Sequence, residues 1–390
     1  MVLSKRERVI RTLELEVPDM VPIHYLGFEK TCTAYQTFRK TEEYSNLYTL
    51  IKNSYSRFKN NWVGEITDLR WFNVDSNAMD PFQKKLKNTA VNPPSDRPDA
   101  QFMDAMSGRL FKQHPQVETG IMYMWYIDGY FTSPEILHSY WDEIGKPIEL
   151  INEKTNYSPK VWDEFVESLS PYLYPMGTLP IAMLESLYEG MTIAKVAYFM
   201  RKKPDFIHEI LTEYTKVNLE FVKRLDEVGV DIIFYFDDMG LKGRSIFSID
   251  SLNKFIIPYY KKIFQECKKR SMFVLQHSCG HIDEILPHLV DAGLNGIQAL
   301  EPAAGVNLAR LKETLGDKVA FLGGMDSSNI LNFGTPKDVE EDVKRCLREA
   351  GEGGGYFVGP SHNILNVPWE NCVALRDAML KYRNYPLNLN

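Results

Sequence analysis

Met272-Phe273-Val274-Leu275-Gln276-His277-Ser278-Cys279-Gly280 is the stretch whose reading decides the fold. Its short apolar run predicts a buried strand, and His277 and Cys279 stand two apart where that strand gives way to a loop. Side chains alternate at period two along a strand, so both point to the same side. Similar apolar runs occupy Tyr172 to Met183, Val230 to Asp238, Asn295 to Glu301, Val319 to Gly324 and Gly355 to Pro360. Long amphipathic patterns separate them. One is Pro204 to Gly229; another opens at Ile249, with Asp250 and Ser251 as candidate caps, and runs to about Arg270. Strands that alternate with helices specify a parallel sheet. Val21 to His24 adds a strand, and one or two more are expected in the less regular stretch before Pro171, which brings the count near eight. The expected architecture is α/β, a closed (β/α)8 TIM barrel, with an open doubly wound sheet as the alternative. No Gly-rich phosphate loop follows an early strand, which argues against the dinucleotide-binding form of that alternative.

A length of 390 residues suits one such barrel with insertions. The region from about Cys32 to Leu150 is irregular and aromatic and is read as insertions or a cap on a single domain spanning 1–390. Asn88 to Ala100, rich in Pro and polar residues, is expected to be an exposed loop. Hydrophobic residues at 44% and charged residues at 25% exclude wholesale disorder. The formal net charge of −7 removes the basic footprint that nucleic-acid binding would call for. No apolar run is long enough to span a bilayer. The opening MVLSKRERVIRTLELEVPD is too charged for a signal peptide and reads as an amphipathic helix, so a cytoplasmic protein is expected. The five cysteines, Cys32, Cys267, Cys279, Cys346 and Cys372, are an odd, scattered set, which suits reduced thiols rather than a disulfide framework. Cys346 and Cys372 lie on helical patterns as small hydrophobes.

A thiolate beside an imidazole is a natural half-site for zinc. The plainer reading of His277 and Cys279 is a buried thiol next to a hydrogen-bonded histidine. His362, in Gly359-Pro360-Ser361-His362-Asn363, follows the last apolar run and is the best further ligand; its plain reading is a loop cap. Asp237 and Asp238 end the preceding strand and point in opposite directions, so at most one enters the barrel mouth, as a ligand or a supporting acceptor. Capping of the next turn is the alternative for either. Asp326 and Glu185 also lie at or just past strand ends, and Glu185 is a candidate fourth ligand or catalytic carboxyl. His281 and His288 are read as helix residues. Aromatic residues gather at Trp71, Phe72, Tyr123, Trp125, Tyr126, Tyr130 and Phe131. Their density in MYMWYIDGYF suggests a pocket wall for a flat ligand, with Tyr123, Trp125 and Tyr126 as substrate-binding candidates, against core or subunit interface.

Taken in order, these blocks resemble the uroporphyrinogen decarboxylase superfamily, and within it the zinc-dependent corrinoid methyltransferases. The likeness begins at Ser4-Lys5-Arg6-Glu7-Arg8-Val9 and Pro18-Asp19-Met20-Val21-Pro22. It continues through Asp231-Ile232-Ile233-Phe234, His277-Ser278-Cys279-Gly280, Gly323-Gly324-Met325-Asp326, Gly354-Gly355-Tyr356 and Val367-Pro368-Trp369-Glu370-Asn371. The resemblance implies a barrel that binds Zn2+ through His-x-Cys plus a distant cysteine. His277 and Cys279 match the first two ligands. At the place of the third this chain has Ser361-His362-Asn363, a departure. The decarboxylases hold substrate carboxylates with an arginine-rich segment after the first strand; here that segment is His24-Tyr25-Leu26-Gly27-Phe28.

Two methyltransferase reactions then stand open. One moves a methyl group from a methyl ether, often a methoxylated aromatic compound, to the Co(I) corrinoid of a partner protein. The other delivers a methyl group from a methylated corrinoid to a thiol such as coenzyme M. Two thiolates cancel the charge of Zn2+, whereas a His-Cys-His set keeps +1 and is the stronger Lewis acid toward an ether oxygen. That count and the aromatic N-terminal half favour the ether demethylase, with Asp237 and Glu185 as its catalytic carboxyls. A decarboxylase-like lyase is the more distant alternative. A homodimer is allowed for.

Overall fold

The computed structural model describes residues 2–54, 61–82, 85–87 and 90–389. Seven parallel strands form its central sheet, in the order Ser76–Ala78, Tyr174–Thr178, Ile232–Phe236, Phe273–Ser278, Gly296–Ala299, Ala320–Met325 and Tyr356–Pro360. Four of the predicted runs overshoot their strands into the loop that leaves the sheet, whereas Val319 to Gly324 stops one residue short of its strand's end and Gly355 to Pro360 ends with its strand. Tyr172 to Met183 is the extreme case, with only Tyr174–Thr178 paired.

The segment expected as the first strand closes the ring. Ile23 bridges Val358 and His24 bridges Ser76, both in the parallel sense. The His24 N–H donates to the Val358 carbonyl at 3.0 Å, and the Asp75 N–H donates to the Ile23 carbonyl at 2.9 Å. Gly359 makes this closure sterically allowed, since a Cβ there would sit 1.8 Å from the His24 carbonyl oxygen. With this strap the barrel has eight staves. Its hidden stave is Ser76–Ala78, inside the region read as irregular.

Alternation sorts the strand residues. Ile232, Phe234, Leu275, Ala320, Leu322 and Phe357 fill the barrel with Tyr174 and Met176, and Val9 and Leu13 of the helix Lys5–Leu13 plug its lower end. Ile233, Tyr235 and Val274 face the outer helices. At that lower end, fully buried Asp75 receives Arg8 at 2.6 Å and Arg383. The long helix is Pro204–Glu227. The next is capped by Ser248, whose hydroxyl accepts from the Ser251 N–H, rather than by Asp250 or Ser251. It breaks at Ile256, where Pro258 has no N–H to give, and resumes as Ile257–Lys269.

Between Cys32 and Leu150 the chain forms the helices Thr33–Phe38, Glu42–Ser54, Asn61–Trp71 and Pro134–Ile144 and a four-stranded antiparallel sheet. Of the expected exposed loop, Ala90–Val91 instead pairs with Phe102–Asp104 at the edge of that sheet and Ala100 is buried; Asn92 to Ala100 carries no regular structure, and Asn88 and Thr89 lie outside the described residues. The hairpin Arg109–Pro115/Met122–Gly129 runs from the helix Glu185–Met191, where the Phe131 N–H donates to the Gly190 carbonyl at 2.8 Å, to the far rim. There Thr119 donates to the Thr31 carbonyl at 2.6 Å and Gln116 reaches Asn366 at 3.4 Å. Among the described residues no helix is long and apolar enough to cross a membrane.

Candidate metal centre

The strand Phe273–Ser278 carries Leu275, His277 and then Cys279 up one inner row, so the interior of the barrel gives way to chemistry at its C-terminal end. The chain must then turn sharply, and Gly280 makes the turn with φ +81 against the Gly240 carbonyl, where a Cβ would lie 2.3 Å from the carbonyl carbon. His362 arrives on the loop after Tyr356–Pro360. One ligand atom each from His277, Cys279 and His362 lies within 4.8 Å of the others. The His277 Nε2 and Cys279 Sγ are 3.2 Å apart.

The neighbours orient this trio. The His277 Nδ1 pairs with the side-chain carbonyl of Gln298, which leaves Nε2 as the ligand atom. The Gln298 amide donates to the Ser361 carbonyl at 3.2 Å, and the Ser327 hydroxyl accepts from the His362 N–H at 3.3 Å. The Asp238 Oδ1 accepts from the Cys279 N–H at 2.8 Å and stands 3.5 Å from the His277 Nε2. Glu301 accepts from the Gly280 N–H at 3.0 Å. Burial, reinforced by Asp238 and Glu301, pushes the Cys279 thiol far above its ordinary range, and burial holds His277 neutral. A dication among these atoms would reverse the thiol's balance, because a coordinated thiol is deprotonated. The buried Nδ1 of His362 has no hydrogen-bond partner among the described residues. Two imidazoles and one thiol, with an orphaned nitrogen among them, fit zinc with an open position.

Asp237 and Asp238 diverge as alternation requires, but the one that turns toward the mouth is Asp238. Asp237, taken above as a catalytic carboxyl, is fully buried beneath a helix start. It accepts from the amides of Met183 at 2.7 Å, Leu184 at 2.9 Å and Glu185 at 2.7 Å, and from the Tyr260 hydroxyl. It therefore positions Glu185 and has no oxygen left for substrate. Glu185 opens the helix Glu185–Met191, and its carboxyl is pushed up to about 8 by burial, with Asp238 and Glu189 adding to the effect. It lines a cavity of about 490 Å³ with Glu189, Asp104, Arg109, Phe111 and Phe236. Phe236, 39% exposed, joins that cavity to the metal centre, its ring 5.8 Å from that of His277.

A family model for uroporphyrinogen decarboxylase matches residues 177–382, more than half of the chain and every strand from Ile232–Phe236 onward. The chain belongs to the uroporphyrinogen decarboxylase family. Curated relatives include a uroporphyrinogen decarboxylase of Chlorobium phaeovibrioides, 27% identical over 173 residues, which are 43% of this chain and 46% of that protein. A methylated-thiol–coenzyme M methyltransferase of Methanosarcina mazei is 21% identical over 249 residues, 59% of this chain and 64% of that protein. The chain thus spans about half the length of the decarboxylases it matches. A solved structure, a methyltransferase from Methanosarcina mazei, has the same fold, with a TM-score of 0.62 and 16% identity over 97% of this chain and 99% of that one.

Within this family fold the remaining candidates find their places. Asp326 caps its own turn, accepting from the Ser328 and Asn329 amides at 3.0 and 2.8 Å. His281 lies in the loop ahead of the helix Leu286–Ala292 rather than on it, while His288 is on that helix. Tyr123, Trp125 and Tyr126 cannot form one wall. Tyr123 and Trp125 share a face of the hairpin, with ring centres 5.8 Å apart, and Tyr126 is on the other, under the Arg109 guanidinium at 5.7 Å. Trp71, Phe72 and Phe131 are core, and Trp71 stacks on Trp369 at 4.9 Å. Cys32, Cys267, Cys346 and Cys372 are buried free thiols. Gln298, Phe236, Arg109 and Glu189 were not singled out from the sequence. For Gln298 the available signal was a polar residue inside an otherwise apolar strand, Gly296–Ala299.

Proposed function

We propose that this protein is a zinc-dependent methyltransferase that moves a methyl group from a methoxylated aromatic compound to the Co(I) corrinoid of a partner protein. The observation that carries the reading is the convergence of His277, Cys279 and His362 beside a cavity whose carboxyl, Glu185, keeps its proton at neutral pH.

His277, Cys279 and His362 would hold the metal, with Asp238 as the nearest further donor. When bound, Zn2+ supplies charge stabilisation at the ether oxygen and the partner's corrinoid supplies the nucleophile that accepts the methyl group. This chain's own residues do the rest. The cavity of about 490 Å³ is large enough for a substituted ring, which Phe236 and Phe111 would flank and Tyr126 would border through Arg109. Glu185 donates its proton to the ether oxygen as the carbon–oxygen bond breaks, so that a neutral phenol leaves. The balance is one ether, one Co(I) and one proton giving one phenol and one methylated corrinoid. Asp237 holds the helix start that presents Glu185.

A second reading, methyl delivery from a methylated corrinoid to a thiol, has the support of the relative named as a methylated-thiol–coenzyme M methyltransferase. Decarboxylation, named for other relatives, is disfavoured by the lining of the cavity. A substrate with many carboxylates would meet three acidic side chains and one guanidinium.

One anaerobic optical experiment tests both methyl-transfer readings. The zinc-loaded protein is mixed with Co(I) cobalamin and methoxyphenols, and loss of the Co(I) spectrum that depends on both enzyme and ether supports ether demethylation. If the spectrum persists and added coenzyme M instead demethylates methylcobalamin, the thiol reading replaces it.

A further inference from the structure

We propose that Glu189 sets the substrate class of this cavity: it occupies Arg109, so the cavity takes an uncharged methoxylated ring rather than one bearing a carboxylate. The inference rests on the aryl-ether reading and goes beyond it.

A guanidinium beside an aromatic cavity is ordinarily a carboxylate receptor, because its fork matches both oxygens. Arg109 is the one lysine or arginine among the described residues that line this cavity, and it is already engaged. Its Nη1 lies 3.0 Å from the Glu189 carboxylate, and its flat face covers Tyr126 at 5.7 Å. Asp104, on the same wall, is fixed by the Ser107 N–H and hydroxyl, both at 2.8 Å, and the Met106 N–H at 3.1 Å. Glu185, which keeps its proton, adds no charge to this wall, and Asp238 stands beyond it toward the metal centre. An entering carboxylate would find the one cation paired and acidic groups around it. A neutral ring would find the aromatic faces of Phe236 and Phe111. The Arg109 Nε–H is buried without a partner among the described residues, and it suits the oxygen of a hydroxyl or ether on that ring.

The arrangement makes Glu189 a removable block. Glu189→Gln keeps the shape and releases the guanidinium, which then can hold a carboxylate. The reaction itself is untouched by this argument, so binding is the direct measure.

Titration calorimetry on the zinc-loaded protein without any corrinoid would compare 2-methoxyphenol with 3-methoxybenzoate. The wild type should bind the phenol at least tenfold more tightly. Glu189→Gln should move the ratio at least tenfold toward the benzoate, and Glu189→Gln with Arg109→Gln should lose that gain, which shows that the guanidinium is the receptor released. Equal or tighter benzoate binding by the wild type, or a folded Glu189→Gln protein with an unchanged ratio, would overturn the proposal and leave the ether reading standing. Binding of neither ring by the wild type would remove the aryl-ether reading, and the role of Glu189 with it.

Discussion

Gln298 offers the most direct test of the metal centre, because it touches two arms of the site and would not itself bind the metal. It is fully buried, its carbonyl faces the His277 Nδ1, and its amide holds the Ser361 carbonyl beside His362 at 3.2 Å. Gln298→Ala removes both hydrogen bonds. His277 then loses the partner that fixes its tautomer and ring plane, and the loop bearing His362 loses an anchor. Losing such an outer partner typically costs 10- to 100-fold in metal affinity, or roughly 1.4 to 2.7 kcal/mol. The assay is zinc competition against a chelator, with circular dichroism to confirm folding. Gln298→Glu keeps the acceptor for Nδ1 and gives up the bond to Ser361, so it should restore most of the affinity. Its added negative charge should also reduce the Lewis acidity of the site, visible as a shift in the d–d bands of the Co2+-substituted protein. A folded Gln298→Ala protein that binds zinc as tightly as the wild type would refute this account of how His277 is held.

Cys279→Ala should reduce bound zinc from about one per chain to a trace, and His362→Ala should weaken it by about a hundredfold; elemental analysis and chelator competition decide both. An unchanged affinity in the second variant would move the third ligand to Asp238. Glu185 acts as an acid only while protonated, and its carboxyl is pushed up to about 8, so methyl transfer should decline as the pH rises past about 8. In Glu185→Gln that limb should vanish along with most of the rate. Buried Asp68 is pushed up to about 8 by desolvation and its Oδ1 has no hydrogen-bond partner among the described residues. The folded chain therefore keeps a proton that the unfolded chain releases between about pH 4 and 8, and stability should fall across that window by on the order of a few kcal/mol. Asp68→Asn should flatten this slope in urea denaturation at pH 5 and pH 8.5, and an unaltered slope would show that Asp68 is not its source.

The barrel was legible where the chain repeats one physical problem. From Tyr174 onward each strand is buried on both faces over most of its length, so it reads as a mainly apolar run, and each crossover helix is amphipathic because one face meets solvent. Ser76–Ala78 escaped because three residues in a barrel wall leave no period to read, and two of them, Ser76 and Asn77, are polar yet buried. The hairpin Arg109–Gly129 escaped for the opposite reason. It stands partly in solvent on both faces, with Met122, Met124 and Trp125 all about half exposed, so its alternation does not separate apolar from polar.

The site was legible in proportion to how far its geometry follows from a single strand. His277 and Cys279 are related by period two within one strand, and that relation survives any error in the rest of the fold. The same rule separated Asp237 from Asp238 but could not say which faced inward. The answer depends on the neighbouring helix start, whose three free amides at Met183, Leu184 and Glu185 need an acceptor and draw Asp237 outward. Once Asp237 is committed there, Asp238 is left beside the His277 Nε2, and Glu185 is lifted onto the rim by the helix that Asp237 caps. One buried carboxylate thus fixes the places of the other two. Asp237→Asn should test that dependence: one oxygen and its charge are lost, the helix start loosens, and the pH limb assigned to Glu185 should shift down toward ordinary carboxyl values as its carboxyl becomes more solvated. A limb that stays near pH 8 in a folded Asp237→Asn protein would show that Glu185 is held by something other than Asp237.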